Sequence, residues 1–196
     1  MMEELVNYIR AFINLYDMIH KDKVIEIYNQ QNSKKIDKVY LEKFMERKGD
    51  ILLNKYYIKI HNDYFVCISI LVTGTFSEEL DAREGKPYYV PDKEELLQYK
   101  NNGYFVKNKE YEKLYRFLRK KYWDKSKVEE MMEDIHTYCK STRLLEKFPD
   151  LLSRYDIDFG DEEEKFFSLV MDLHYNTRVK QHNGFTPIEL GLTVFD

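Results

Sequence analysis

The residues of this chain best suited to chemistry are Asp172, His174 and Arg178. His174 and Arg178 stand four apart, so on a continuous helix they share a face. An imidazole beside a guanidinium would make an acid–base group next to an anion site. The same residues have a plainer use. Arg178 can anchor a turn by donating to backbone carbonyls near Gly184 or by pairing with Glu189. Asn176 and Thr177 suit the exposed carbonyls of a chain reversal. The plainer use is the one expected here.

Metal chemistry needs convergent ligands. The five histidines, His20, His61, His136, His174 and His182, contain no close pair such as His-x-x-x-His. His136 lies near Glu133 and Asp134, but on a helix these neighbours point in different directions. Cys67 and Cys139 are too few and too scattered for a close-paired zinc site, and both are expected as free thiols. The sequence has no glycine-rich phosphate loop, no serine-nucleophile motif and no His-Glu-x-x-His. No metal, cofactor or catalytic residue is assigned.

Two groups of cations are candidates for partner contact. Lys109, Lys113, Arg116 and Lys120 recur at helical spacing opposite a Tyr/Leu stripe, and Arg119 and Lys121 broaden the strip. Such a face either binds phosphates or is simply the solvated side of a surface helix, and Glu110 and Glu112 dilute it. The second group is Lys43 and Arg47, on a predicted helix over 37–49 that also carries Lys38 and Lys48. Asp37, Glu42 and Glu46 sit on the same helix. A DNA-reading helix would show more cations and amides, so sequence-specific DNA binding is not expected.

The elements that must position these residues read as mostly α, with a small β component. Leu5, Ile9, Phe12, Ile13 and Tyr16 predict a first helix over about 3–18. Val24, Ile25, Ile27 and Tyr28 predict a second. Asp37 caps a third, with Tyr40, Leu41, Phe44 and Met45 on its buried face. Tyr56–Ile60 and Tyr64–Ile70 flank an Asn-Asp turn, which signals a hairpin. Three helices and a hairpin are the order of a winged-helix domain, placed at 1–73. A linker with a short helix follows over 74–107, and a helical bundle fills 108–196. In that bundle Tyr111, Leu114, Tyr115, Leu118 and Tyr122 form one stripe. Further helices are expected from Ser126, over about 142–154, and from after Gly160 to about Gln181. Gly184 suits a left-handed stop, and Thr186, Pro187 and Glu189 fit the cap, first position and capping-box position of a terminal helix.

Composition narrows the class. With 43% hydrophobic and 34% charged residues, the chain can build a sizeable core and does not read as a membrane protein. Glu3 and Glu4 stand where a signal peptide would be basic, so a cytoplasmic location is expected. Net charge is −4, which argues against non-specific polyanion binding by the whole chain. The 17 tyrosines and 12 phenylalanines accompany only two alanines, Ala11 and Ala82. That bias fits an AT-rich bacterial or phage genome, though exposed tyrosines also serve as binding anchors.

Two stretches carry a resemblance. Asn176-Thr177-Arg178 followed by Asn183-Gly184-Phe185-Thr186-Pro187-Ile188-Glu189-Leu190 resembles the segment preceding the zinc motif in bacterial proteins that carry a SecA-type C-terminal zinc motif. Gly85-Lys86-Pro87-Tyr88-Tyr89-Val90-Pro91-Asp92 and the residues to Leu97 are similar to another part of the same proteins. Leu15-Tyr16 and Ile27-Tyr28-Asn29 extend the likeness. Phe185 departs from the expected His, and the cysteine-rich zinc tail is absent from this sequence. The resemblance implies a scaffold and carries over no catalytic residue.

The expectation is therefore a non-enzymatic interaction or regulatory module for a protein or nucleoprotein partner. Two rivals are an inhibitor from a mobile element that docks on a nucleic-acid-handling complex, and an enzyme using the His174/Arg178 region.

Overall fold

The computed structural model describes residues 2–49, 53–155 and 159–192; Lys48 and Gly49 are described by their backbone alone. The chain divides into two compact units, Met1–Phe105 and Val106–Asp196.

The first unit is built on α1 (Met2–Tyr16), with Leu5, Tyr8, Ile9, Phe12 and Tyr16 fully buried. Asp17, at φ 64°, ends the helix and turns the chain into β1 (Met18–His20). Helices α2 (Lys21–Gln31) and α3 (Lys38–Phe44) follow, the latter prolonged by π-helical Met45–Gly49. The turn between them is closed by one side chain. Asn29 donates Nδ2–H to the Ile36 carbonyl and accepts from the Ile36 N–H, both at 2.8 Å. Asp37 caps α3 by accepting from the Tyr40 N–H at 2.7 Å.

Strands β2 (Ile58–His61) and β3 (Tyr64–Cys67) form the expected hairpin. Asn62 and Asp63 both have positive φ, 46° and 64°, as a two-residue turn matched to strand twist demands. β1 pairs with the other edge of β3, so the antiparallel sheet runs β1-β3-β2. In sequence the unit runs helix, strand, two helices and hairpin, a mostly helical unit with a small three-stranded antiparallel sheet. Ile19, Phe65 and Ile58 face the main core, and Met18 and Val66 face a smaller second cluster.

That second cluster corrects one expectation. The strand ends at Cys67, and Ile68–Thr73 is a helix, α4, ending at left-handed Gly74 (φ 71°). Ile70 thereby reaches back to Met18 and Val66. An apolar run of this length reads equally as strand or helix from sequence, and covering the sheet's second face decides for helix. Helix α5 (Phe76–Asp81) adds Phe76 and Leu80 to the same cluster.

Of the stretch 74–107, expected as a linker with a short helix, all but the last two residues fall within the first unit. Helix α6 (Lys93–Gln98) puts Leu96, with Tyr99 just beyond it, into the main core. The Tyr16 hydroxyl donates to the Tyr89 carbonyl at 2.6 Å, and Gln31 Nε2 donates to the Pro91 carbonyl at 2.8 Å. Lys93 pairs with Glu4 at 2.7 Å, and Asp92 caps α6 through the Glu95 N–H at 2.9 Å.

The second unit is a bundle of α7 (Lys109–Lys121), α8 (Lys125–Cys139), α9 (Leu144–Tyr155) and α10 (Glu163–Tyr175). Asn108 caps α7 and Asp124 caps α8. On α7 the buried apolar face is Tyr111, Leu114, Phe117 and Leu118; Tyr115 and Tyr122 are only half-buried. Phe117, Phe148, Phe159 and Phe166 stack in the core, Phe159 and Phe166 with centroids 4.3 Å apart. No helix among the described residues is long and apolar enough to cross a membrane.

Candidate functional site

Helix α10 stops at Tyr175, six residues before the expected end near Gln181. Polar side chains just past the stop compete for helical carbonyls. Thr177 Oγ1 donates to the Leu173 carbonyl at 2.7 Å, and Asn176 Nδ2 to that of Asp172 at 2.9 Å. His174 and Arg178 therefore do not lie on one continuous helix. His174 Nδ1 sits 3.0 Å from the Cys139 carbonyl, at the end of α8. Burial lowers its pKa, and the bond to Cys139 opposes the shift. Arg178 Nη1 donates to the Gly184 carbonyl at 3.3 Å and pairs with Glu189 at 2.5 Å.

Glu189 does double duty. Its carboxylate accepts from the Thr186 N–H at 2.9 Å, and Thr186 Oγ1 accepts from the Glu189 N–H at 3.3 Å. This is a capping box, and Pro187 sits between its members. The element it starts is only a 3₁₀ turn, Ile188–Leu190, in place of the expected α-helix, and residues 193–196 lie outside the described residues. Gly184, at φ 83°, follows left-handed Asn183, at φ 49°, which closes a 3₁₀ turn over Lys180–His182. The expected glycine stop thus serves this short turn. His174 and Arg178 both hold backbone in place.

The cations of α3 are dispersed. Lys43 and Arg47 are exposed, and Lys38 pairs with Asp22 at 2.9 Å. A cleft of about 350 Å³ opens between α2, α3 and the hairpin turn, floored by Ile25, Leu41, Met45 and Ile60. Four of its rim charges pair, Lys21 with Asp63 and Lys38 with Asp22. Lys21 donates to Asp63 at 2.8 Å and holds that carboxyl below the usual range, and Asp22 holds Lys38 above its own. His20 Nδ1 accepts from the Asp22 N–H and so caps α2.

On α7 the four cations expected on one strip divide. Lys109 and Lys113 lean on the buried carboxylate of Glu110, at 3.6 and 3.8 Å. Arg116 Nε donates to the Glu112 carbonyl at 3.1 Å, and Lys120 is exposed. The strip leads to a feature that sequence reasoning missed. Trp123, the sole tryptophan, is 98% exposed in the turn between α7 and α8. A tryptophan ordinarily buries most of its surface, so such exposure needs a reason.

The turn that carries Trp123 is well tied. Arg119 Nη1 donates to the carbonyls of Tyr122 and Trp123, at 3.0 and 2.9 Å. The Tyr122 N–H donates to the Leu118 carbonyl at 2.9 Å. Asp124 accepts from the Ser126 and Lys127 N–H groups at 2.9 and 3.2 Å. Along the sequence from Lys113 to Lys127 there are seven cations and one acid, Asp124, in a chain whose net charge is −4. Lys121 pairs with Glu162, and Lys125 with Glu129 at 3.5 Å. Both are exposed pairs, which exchange partners at little cost. The density of cations around the only tryptophan was the signal available in the sequence.

Among the described residues no three His, Cys, Asp or Glu side chains gather as a metal site. The chain matches no protein-family model, no curated protein and no solved structure in the comparisons made.

Proposed function

We propose that this protein is a non-enzymatic interaction module that binds a protein or nucleoprotein partner, with the turn at Trp123 as its contact point. The observation that carries the reading is an indole exposed at 98% on a turn whose backbone is fixed by Arg119. An aromatic anchor on a fixed backbone has only two side-chain torsions to order on binding, and tryptophan is enriched among residues that dominate interfaces. The side chains an enzyme would need, His174 and Arg178, are engaged with the carbonyls of Cys139 and Gly184. That favours the binding reading over the enzymatic one.

The test is capture from the native host with wild-type protein and with Trp123→Ala, each with and without nuclease. The reading expects a partner held by wild type and lost by Trp123→Ala at unchanged melting temperature. A partner retained fully by the variant would remove the turn from the interface.

A further inference from the structure

We infer that the Trp123 turn is a binding platform for single-stranded nucleic acid, with the indole stacking on a base and the surrounding lysines and arginines holding phosphates. The inference rests on the interaction reading above and names the chemistry of its ligand.

Three observations converge on this class. The first is local charge: the stretch Lys113–Lys127 carries seven cations and one acid inside an acidic chain, and although Lys113, Lys121 and Lys125 pair with Glu110, Glu162 and Glu129, Lys120 and Lys125 stand exposed close to Trp123 in sequence. Such a concentration selects a polyanion at that spot while the rest of the molecule repels one. The second is the solitary aromatic. Between Val106 and Leu145, Trp123 is the one large hydrophobic side chain exposed among the described residues. A bilayer or a protein groove rewards a contiguous apolar patch, whereas a base needs one free π face. The third is preorganisation. Arg119 and Asp124 fix the backbone on both sides of the indole, so the turn that presents it needs no backbone ordering on binding.

The geometry also separates this surface from duplex reading. The helix expected to enter a groove, α3 with its π-helical extension, has Lys38 paired with Asp22 and carries Glu42 and Glu46 beside Lys43 and Arg47. A stacked base in a duplex offers its edge and hides its face. The unpaired base of a single strand can offer its face to Trp123.

The experiment uses the full chain and fluorescein-labelled oligothymidylate and oligouridylate of about 12 nucleotides, within the usual footprint of such platforms. Anisotropy follows the oligonucleotide, and intrinsic emission follows Trp123. Saturable binding with quenched indole emission is expected, weakening steeply with salt. Trp123→Ala should weaken it roughly tenfold or more, and Trp123→Phe should keep most of it, as stacking predicts. Lys120→Glu and Lys125→Glu together should lower the salt dependence. Melting curves check that each variant is folded. A duplex of the same sequence and phosphatidylserine–phosphatidylcholine vesicles serve as competing ligands. The inference is overturned by absent saturation, by equal binding of Trp123→Ala and wild type, or by a larger indole response to duplex or vesicles. If the oligonucleotides fail while a host partner is still captured through Trp123, the nucleic-acid inference falls and the interaction reading stands. If neither depends on Trp123, both fall.

Discussion

Arg119 places one guanidinium nitrogen 3.0 Å from the Tyr122 carbonyl and 2.9 Å from that of Trp123. A single side chain thus ties together the two backbone carbonyls that follow α7, including that of the residue bearing the exposed indole. Removing it separates two properties. Arg119→Ala should lower stability by about 0.5–1.5 kcal/mol, the usual net value of an intramolecular hydrogen bond. It should also raise the mobility of Trp123. Time-resolved fluorescence anisotropy, excited at the red edge where the 17 tyrosines do not absorb, reads only this residue, because it is the sole tryptophan. A faster local component in the variant is expected, and identical decays would show that the turn is held by other means.

The carboxy-terminal turn has its own energetics. Thr186→Ala removes the acceptor for the Glu189 N–H and should cost roughly 0.5–2 kcal/mol. Arg178→Ala withdraws a donor from the Gly184 carbonyl and a partner from Glu189. A cost of about 1–3 kcal/mol is expected if the carbonyl is left short of a donor. Because Arg178 and Thr186 both act through Glu189, the double variant should lose less than the two single losses together. Chemical denaturation of the three proteins measures this, and strict additivity would contradict the coupling.

Acid should weaken the second unit through its histidines. Burial pushes His136 down to about 2, with Lys140 acting the same way, and burial also lowers His174. A histidine depressed in the folded state binds fewer protons there than in the unfolded chain. Its effect on stability is absent above about pH 6.5 and grows as pH falls toward the folded value. For His136 the slope is about 1.4 kcal/mol per pH unit, or roughly 2 kcal/mol between pH 6.5 and 5. His136→Gln should flatten that part of the profile. Parallel pH profiles for wild type and variant would contradict the assignment.

Buried Arg83 ties α5 to the end of α1. It pairs with Glu79 at 2.5 Å and donates Nη2–H to the Tyr16 carbonyl at 3.0 Å. Its side chain is 4% exposed. Arg83→Met keeps the stem and removes the charge, which should cost about 3–5 kcal/mol, as breaking a buried pair does. Thermal unfolding tests this; a shift too small to measure would show that Glu79 re-solvates freely.

The parts of the fold that the sequence made legible are those with a strong local signal. The 3.6-residue spacing of Leu5, Ile9, Phe12 and Tyr16 located α1, and all four are fully buried. The Asn62-Asp63 pair located the hairpin turn because few residues accept two successive positive φ values. Elements set by tertiary context were missed. Strand β1 has three residues, too few to show alternation, and exists because β3 offers an edge. Helix α4 hid inside an apolar run. The end of α10 was overestimated because Thr177 and Asn176 hydrogen-bond back to Leu173 and Asp172. At the candidate site, the cationic spacing on α7 was legible. The exposure of Trp123 was not, since residue type alone predicts burial for an indole.

The most direct test of the account is a paired measurement on Trp123→Ala and Arg178→Ala. Melting temperature and affinity for the captured partner are determined on the same preparations, at a temperature where both variants are folded. The account predicts that Trp123→Ala melts like wild type and loses partner affinity by roughly tenfold or more, as loss of an anchor residue does. It predicts that Arg178→Ala melts lower and binds normally. A stable Arg178→Ala protein that no longer binds, beside a Trp123→Ala protein that binds as wild type does, would contradict the account.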